Sequence, residues 1–206
     1  MSRLLLVRHG NTTMTNTLRF WGKTDLELNA EGIRQAEQLR DRLAAQKIDA
    51  AYVSNLRRAQ LTAEIITSRH HLGLTTCAEL AELNFGWVEG LSFEEIKRLH
   101  PELAEVLSDW NAHPKFPGGE SLDELNDRLQ KFLTRLKKHK PEETILIVAH
   151  AGTLRLIICN LLGIGLEHWR QIQLSLASLS VVETYPQGGI INLLNDVSHL
   201  KVPEAA

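Results

Sequence analysis

Two short, wholly apolar runs, residues 4–7 and 144–148, stand out along the chain and predict strands buried on both faces. Elsewhere the apolar spacing becomes helical. Asn29 is placed to cap a helix over 30–45 that carries Ile33, Ala36, Leu39 and Leu43 on one face. Residues 50–53 read as a strand, 56–68 as a helix with Leu61, Ile65 and Ile66 turned inward, and 74–77 as a further strand. From 79 to about 120 the pattern is less regular. Ser92 with Glu95, and Ser121 with Glu124, have the spacing of capping boxes; Pro101 opens a helix, and Pro114, Pro117, Gly118 and Gly119 break the chain into a loop. The helix started by Ser121 is the most clearly amphipathic, with Leu122, Leu125, Leu129, Phe132 and Leu136 at three- and four-residue spacing. An apolar helix over 153–162 and two strands, 180–185 and 190–194, joined by a turn at 186–189, complete the pattern.

Strands alternating with helices predict an α/β fold: a three-layer sandwich whose mainly parallel central sheet has helices on both faces and an antiparallel edge hairpin. No repeat, low-complexity tract or linker divides residues 1–206, so a single domain is expected.

Composition narrows the function classes. The 206 residues are 43% hydrophobic and carry 23 Lys+Arg against 25 Asp+Glu, a net charge of -2. Such a chain has no long-range pull on nucleic acid or an anionic membrane, and an anionic ligand must be held by a local cluster. Two cysteines, Cys77 and Cys159, make no disulfide framework. No apolar run is long enough to span a bilayer, and the run at 4–7 stops at Arg8, too short for a signal peptide. A reducing, cytoplasmic setting is expected.

Both apolar strands run straight into a histidine and a glycine, as Val7-Arg8-His9-Gly10 and Val148-Ala149-His150-Ala151-Gly152. In an open parallel sheet, ligands bind beyond the carboxyl ends of the strands. Neighbouring strands would therefore bring both imidazoles to one crevice. A histidine at a strand end is ordinarily a structural, hydrogen-bonded residue, but two of them with an arginine beside the first favour function. Imidazole ligates zinc, yet no His-Glu-x-x-His or Asp-x-Asp occurs, and Arg8 would repel a cation. Arg8 with a second arginine attracts phosphate instead. Neither a Walker loop nor a Gly-x-Gly-x-x-Gly is present, so no nucleotide cradle is indicated. A metal-free anion site is favoured.

At Arg8-His9-Gly10 the chain resembles the histidine phosphatase superfamily, in its phosphoglycerate-mutase-like branch. Further stretches agree in order: Gly22-Lys23-Thr24-Asp25-Leu26-Glu27-Leu28-Asn29-Ala30-Glu31-Gly32, then Ser54-Asn55-Leu56-Arg57-Arg58-Ala59-Gln60-Leu61-Thr62-Ala63. Leu80-Ala81-Glu82-Leu83-Asn84-Phe85-Gly86-Trp87-Val88-Glu89-Gly90 and Ala149-His150-Ala151-Gly152 follow. The resemblance implies that His9 is the phosphoryl-accepting nucleophile, that Arg8, Arg58 and His150 hold the phosphoryl oxygens, and that Glu82 gives the leaving group its proton. It also implies substrate contacts at Asn11, Asn16 and Gly152, and the phosphoglycerate-mutase-like form of the fold. Arg57, beside Arg58, is expected on a solvated helix face.

The chain departs from the family pattern at Asn11, where glutamate is frequent, and at Met14-Thr15, which replaces Trp-Asn and leaves Asn16 one place late. Val88-Glu89-Gly90 stands for Trp-Glu-Gly, with a tryptophan moved to Trp87. Residues 91–121 are expected to form a helical and loop lid, whose cations from 99 to 120 are only His100, His113 and Lys115. Mutases of the family carry a longer, more basic insertion, so a phosphatase is expected. Phe116-Pro117-Gly118-Gly119-Glu120-Ser121-Leu122 resembles a segment of α-ribazole phosphatases. The resemblance thus implies a metal-independent phosphomonoester hydrolase, acting through phosphohistidine on a small phosphorylated metabolite, α-ribazole 5′-phosphate being one candidate. No metal or cofactor, nucleic acid or membrane partner is implied, and a homodimer is left open. The alternatives are a phosphoglycerate mutase and an inactive phospholigand-binding module. Phe20, Trp21, Trp110 and Trp169 are expected to pack, with a place in the wall of a substrate pocket as the alternative, and Arg155, alone in its apolar helix, to pair with a carboxylate, with a substrate contact near the helix start as the alternative.

Overall fold

The computed structural model describes residues 2–14 and 18–200. Asn16, one of the expected substrate contacts, lies outside the described residues. One sheet of six strands organises the molecule, in the order β3-β2-β4-β1-β5-β6. β1 (Ser2–Arg8), β2 (Ala50–Ser54), β3 (Leu74–Cys77) and β4 (Thr144–Ala149) are parallel. β5 (Leu179–Tyr185) pairs antiparallel with β1, and β6 (Gly188–Asp196) pairs antiparallel with β5 and closes the edge.

Alternation along the central strands separates two cores. Leu4 and Leu6 of β1, with Ile145 and Ile147 of β4, face α5 (Leu122–Leu136) and α6 (Ala151–Leu162). Leu5, Val7, Leu146 and Val148 face the other way, onto α1 (Ala30–Leu43) and α2 (Arg57–Thr67). The short helices α3 (Phe93–Leu99) and α4 (Pro101–Ser108) add Ile96, Leu103 and Ala104 to the first core. This is the expected three-layer sandwich. Among the described residues no helix is long and apolar enough to cross a membrane.

Local signals account for most boundaries. Asn29 caps α1 by accepting from Gly32 N, and both capping boxes form, at Ser92 with Glu95 and at Ser121 with Glu124. Pro101 occupies the first turn of α4, where its missing N–H costs nothing.

Three expectations shift. The buried face of α1 runs through Gly32, Gln35, Ala36, Leu39 and Leu43, leaving Ile33 38% exposed. On α2, Leu61 and Ile65 are half-buried, and Arg58, Ala59, Thr62, Ala63 and Ile66 turn inward, because that face looks onto a polar site. The final hairpin turns on Pro186 and Gln187 alone, and Gly188 and Gly189 pair with Tyr185 and Thr184. A Cβ on Gly189 would come within 2.9 Å of Val182 Cγ1 and 3.1 Å of Leu161 O, so this glycine serves packing under α6 rather than the turn.

Candidate active site

The register of β1 against β4 sets the site. Arg8 stands opposite Ala149, so the next residues, His9 and His150, leave the sheet side by side. Their ring centroids are 5.1 Å apart, with His9 only 7% exposed and His150 fully buried. His9 N donates to Ala149 O at 3.0 Å and extends the ladder by one residue. Gly10 then passes against α1 so closely that a Cβ there would meet Gly32 O at 2.6 Å.

Each imidazole has its protonation set by its partners. His9 Nδ1 lies 2.8 Å from Gly10 O, which can only accept, so neutral His9 keeps its hydrogen on Nδ1 and presents a lone pair at Nε2. His150 Nδ1 accepts from Arg58 Nε at 3.3 Å, and its Nε2–H donates to Ser54 Oγ at 2.8 Å. Burial, followed by the charges of Arg58 and Arg8, holds His9 well below the usual histidine range. Burial, then Arg58, His9 and Arg8, does the same to His150.

Two guanidinium groups flank the rings. Arg58, in the first turn of α2 and 2% exposed, donates to Gly22 O at 2.6 Å and to Thr24 O at 2.7 Å. Arg8 donates to Leu174 O at 2.6 Å, while its buried Nε has no partner among the described residues. Burial lowers Arg8 to about 10, so it remains a cation at neutral pH. Asn11 is held from both sides: its N–H donates to Gln35 Oε1 at 2.9 Å, and its Oδ1 accepts from Asn29 Nδ2 at 3.3 Å.

Glu82 reaches the site from the loop after β3. Its Oε1 accepts from Leu83 N at 2.9 Å and Thr153 N at 3.3 Å, and its Oε2 accepts from Gly152 N at 3.1 Å. The carboxylate therefore sits on the amino end of α6, which begins at Ala151 rather than 153. Gly152, expected at the substrate, donates its N–H to Glu82. A Cβ at 152 would come within 2.6 Å of Glu82 Oε1, so the close approach requires glycine.

Several supporting residues carry no assignment from the sequence. Ser54 holds His150, and Thr62 Oγ1 accepts from Gly10 N at 3.2 Å. Glu89 Oε1 accepts from Gly22 N and Thr24 N, both at 2.8 Å, clamping from behind the loop that Arg58 grips in front. Arg128 of α5 donates to Glu79 O, Ala81 O and Glu82 O at 2.6, 2.8 and 3.0 Å, and its Nε meets Glu120 Oε1 at 2.9 Å. Ser54, Thr62 and Glu89 fall inside the quoted motifs, which is the signal that could have found them. Arg128 falls in none. Arg57 behaves as expected, an exposed residue paired with Glu27 at 2.7 Å.

Beside Glu82 opens a cleft of about 420 Å³, lined by Phe20, Phe85, Trp110, Trp169, Arg155 and Arg170 among others. Phe93, Leu107, Trp110 and Phe116 bring residues of the 91–121 segment to its wall. Trp110, 63% exposed, stands in the cleft wall rather than packed in the core, the alternative of its two expected places. Arg155 corrects the expected carboxylate pairing: among the described residues it forms no ion pair, and it donates to Ile172 O at 2.6 Å. A buried lone pair beside fixed cations, with a carboxylate between them and a cleft, can accept a phosphoryl group and protonate the alcohol that leaves.

Comparisons with known proteins place nearly the whole chain among relatives of one family. The family model of the histidine phosphatase superfamily (branch 1) matches residues 4–197. Phosphoserine phosphatase 1 of Hydrogenobacter thermophilus is 30% identical over 203 residues, 97% of this chain and 95% of the relative. The crystal structure of the α-ribazole phosphatase of Shigella flexneri superposes with a TM-score of 0.87 at 28% identity, covering 94% of this chain and 96% of that one. A phosphoserine phosphatase mutant from Entamoeba histolytica, in complex with phosphoserine, gives 0.85 at 25% identity, covering 98% and 100%.

Proposed function

This chain belongs to the histidine phosphatase superfamily (branch 1) and is a phosphatase of small phosphorylated metabolites; from that premise we propose that it works without a metal, through a phosphohistidine on His9. The observation that carries the reading is the tautomer of His9. Its Nδ1 hydrogen is committed to Gly10 O at 2.8 Å, which leaves Nε2 as an unprotonated nucleophile beside His150.

In the first step the His9 Nε2–phosphorus bond forms as the ester P–O bond breaks, and Glu82 gives its proton to the departing oxygen. In the second, water attacks phosphorus and passes a proton to the Glu82 carboxylate. The P–N bond then breaks, releasing inorganic phosphate and neutral His9. Negative charge spreads over the equatorial oxygens in both steps. The Nε–H of Arg8, without a partner among the described residues, is ready to donate to them, with Arg58 and the side chain of Asn11 alongside, and His150 joins once its Nε2–H turns from Ser54 to the phosphoryl group. The same cations repel a divalent metal. Gly152 serves by seating Glu82, and residues 91–121 act as the lid that covers the leaving group.

A second substrate reading, α-ribazole 5′-phosphate, is favoured by the aromatic side chains of Phe20, Phe85, Trp110 and Trp169 in the cleft, which suit a flat ring on the leaving group.

Rapid quench of p-nitrophenyl phosphate turnover in EDTA tests the mechanism. A base-stable, acid-labile phosphoprotein is expected in the wild type and none in His9→Ala, with turnover reduced about 10⁴-fold or more. An acid-stable adduct, or complete loss of activity in EDTA, overturns it.

A further inference from the structure

The cleft beside Glu82 holds two cations that the phosphoryl site does not use. Arg155 lies on α6, its guanidinium 5.8 Å from the centre of the Trp169 ring, and Arg170 lies 5.4 Å from the same ring. Arg170 is anchored through Nη1 to Leu107 O at 2.7 Å and Asp109 O at 3.0 Å, and Arg155 through Nε to Ile172 O at 2.6 Å. Among the described residues neither forms an ion pair. Both line the cleft and both are half-buried. Guanidinium groups taken partly out of water without a carboxylate are costly to keep, and a ligand anion is what offsets the cost.

We propose that the natural leaving group carries a carboxylate, which binds in this cleft against Arg155 with Arg170 beside it. The proposal rests on the phosphatase reading of the site. With its Nε committed to Ile172 O, Arg155 has two terminal nitrogens left, and that fork matches the two oxygens of a carboxylate. A second phosphate, with three oxygens to satisfy, would leave acceptors unmet by the two-nitrogen fork of Arg155, and the nearby cations of the 91–121 segment are engaged elsewhere. His113 is already paired with Asp123 at 3.0 Å and Lys115 with Glu124. A leaving group with no anion would fill the aromatic part of the cleft and leave both arginines with only the more distant charges of Glu82 and Asp109 and no ion-pair partner.

Two matched pairs test this: 3-phosphoglycerate against glycerol 3-phosphate, and phosphoserine against phosphoethanolamine. In the wild type the carboxylate member of each pair is expected to have a kcat/KM about tenfold higher or more. Arg155→Gln should bring both ratios close to one. Arg155→Lys, which keeps the charge and loses the fork, should retain an intermediate ratio. Because Arg155 also packs on Trp169, thermal unfolding of each variant is followed. Inhibition of the wild type by glycerate, against glycerol, reads the same contact without a substitution.

Ratios near one in the wild type overturn the proposal while p-nitrophenyl phosphate turnover leaves the phosphatase reading intact. A ratio that survives in Arg155→Gln, with both members slowed equally, makes Arg155 structural and overturns it as well. Preference for α-ribazole 5′-phosphate over both carboxylates does the same. Failure to hydrolyse any phosphomonoester would instead remove the reading beneath it.

Discussion

Arg58 donates its Nε–H to His150 Nδ1 at 3.3 Å, and this bond makes the two active-site imidazoles opposite tautomers. His150 carries its hydrogen on Nε2, toward Ser54, whereas His9 carries its own on Nδ1, toward Gly10. Arg58 also spans Gly22 O and Thr24 O. A lysine has one nitrogen and cannot serve all three acceptors with the same geometry. Arg58→Lys should lower kcat by about 10²- to 10³-fold, the usual effect of losing a donor aimed at transition-state charge. Stability should fall by about 2–4 kcal/mol, because buried acceptors lose charged donors. Steady-state kinetics and urea unfolding measure the two. Changes under threefold in rate and below about 1 kcal/mol in stability would refute the assignment.

The pKa directions separate activity from stability along the pH axis. Both histidines are held well below 6.5 in the native state, chiefly by burial. Below about pH 6.5 the unfolded chain takes up protons that the native chain refuses, so stability is full above that pH and declines as pH falls towards the native values. The nucleophile stays neutral through the same interval. Long-range ¹H–¹⁵N NMR at pH 6 should therefore find His9 unprotonated at Nε2 and His150 unprotonated at Nδ1, while the melting temperature is already falling. A doubly protonated His9 at pH 6 would contradict the burial argument.

Gly152 sets helix propensity against site geometry. An alanine in α6 favours the helix by about 0.8–1 kcal/mol over glycine. Its Cβ, however, would stand 2.6 Å from Glu82 Oε1, the free end of a side chain that can move aside. The displacement costs little in folding and much in catalysis. Gly152→Ala should leave stability within about 1 kcal/mol of the wild type, yet slow hydrolysis of alkyl phosphates about tenfold or more. Equal losses in both, or no loss in rate, would show that Glu82 is not held there for its chemistry.

The sheet and the two histidines were legible because their signals are local. Continuous apolar runs at 4–7 and 144–148 mark the central strands, and a histidine with glycine after each marks the crevice. Arg58 and Glu82 are different. Nothing in their own surroundings separates Arg58 from Arg57, or Glu82 from other acids, and only the ordered motifs select them. The α6 helix starts earlier than its apolar pattern predicts because Gly152, which reads as loop, belongs to a helix end that Glu82 occupies. Hydrophobicity alone turns Ile33 inward, but Gln35 takes the buried place because Asn11 N needs its Oε1. Arg128 was invisible: one residue before Leu129, it looks like any solvated helix position, and only the packing of loop 79–84 against α5 buries it.

That hidden residue yields the sharpest test of the proton donor. Arg128 holds the carbonyls of Glu79, Ala81 and Glu82, and Glu120 faces it with 17% of its side chain exposed. Arg128→Met removes the charged donor from three carbonyls and a carboxylate, although Ala81 O keeps Thr153 Oγ1 and Glu120 Oε2 keeps Asn84 N, and should cost about 3–5 kcal/mol if the pair behaves as buried. Glu120→Gln keeps the carbonyl contacts and should cost less. Rate distinguishes positioning from simple support. An alkyl alkoxide needs a proton to leave, whereas p-nitrophenolate departs readily without one. If Arg128 acts by aiming Glu82, Arg128→Met measured well below its melting point should slow an alkyl phosphate at least about tenfold more than p-nitrophenyl phosphate, as should Glu82→Gln. Arg128→Lys should restore part of the difference. Equal slowing of both substrates would mean that Arg128 supports only the fold.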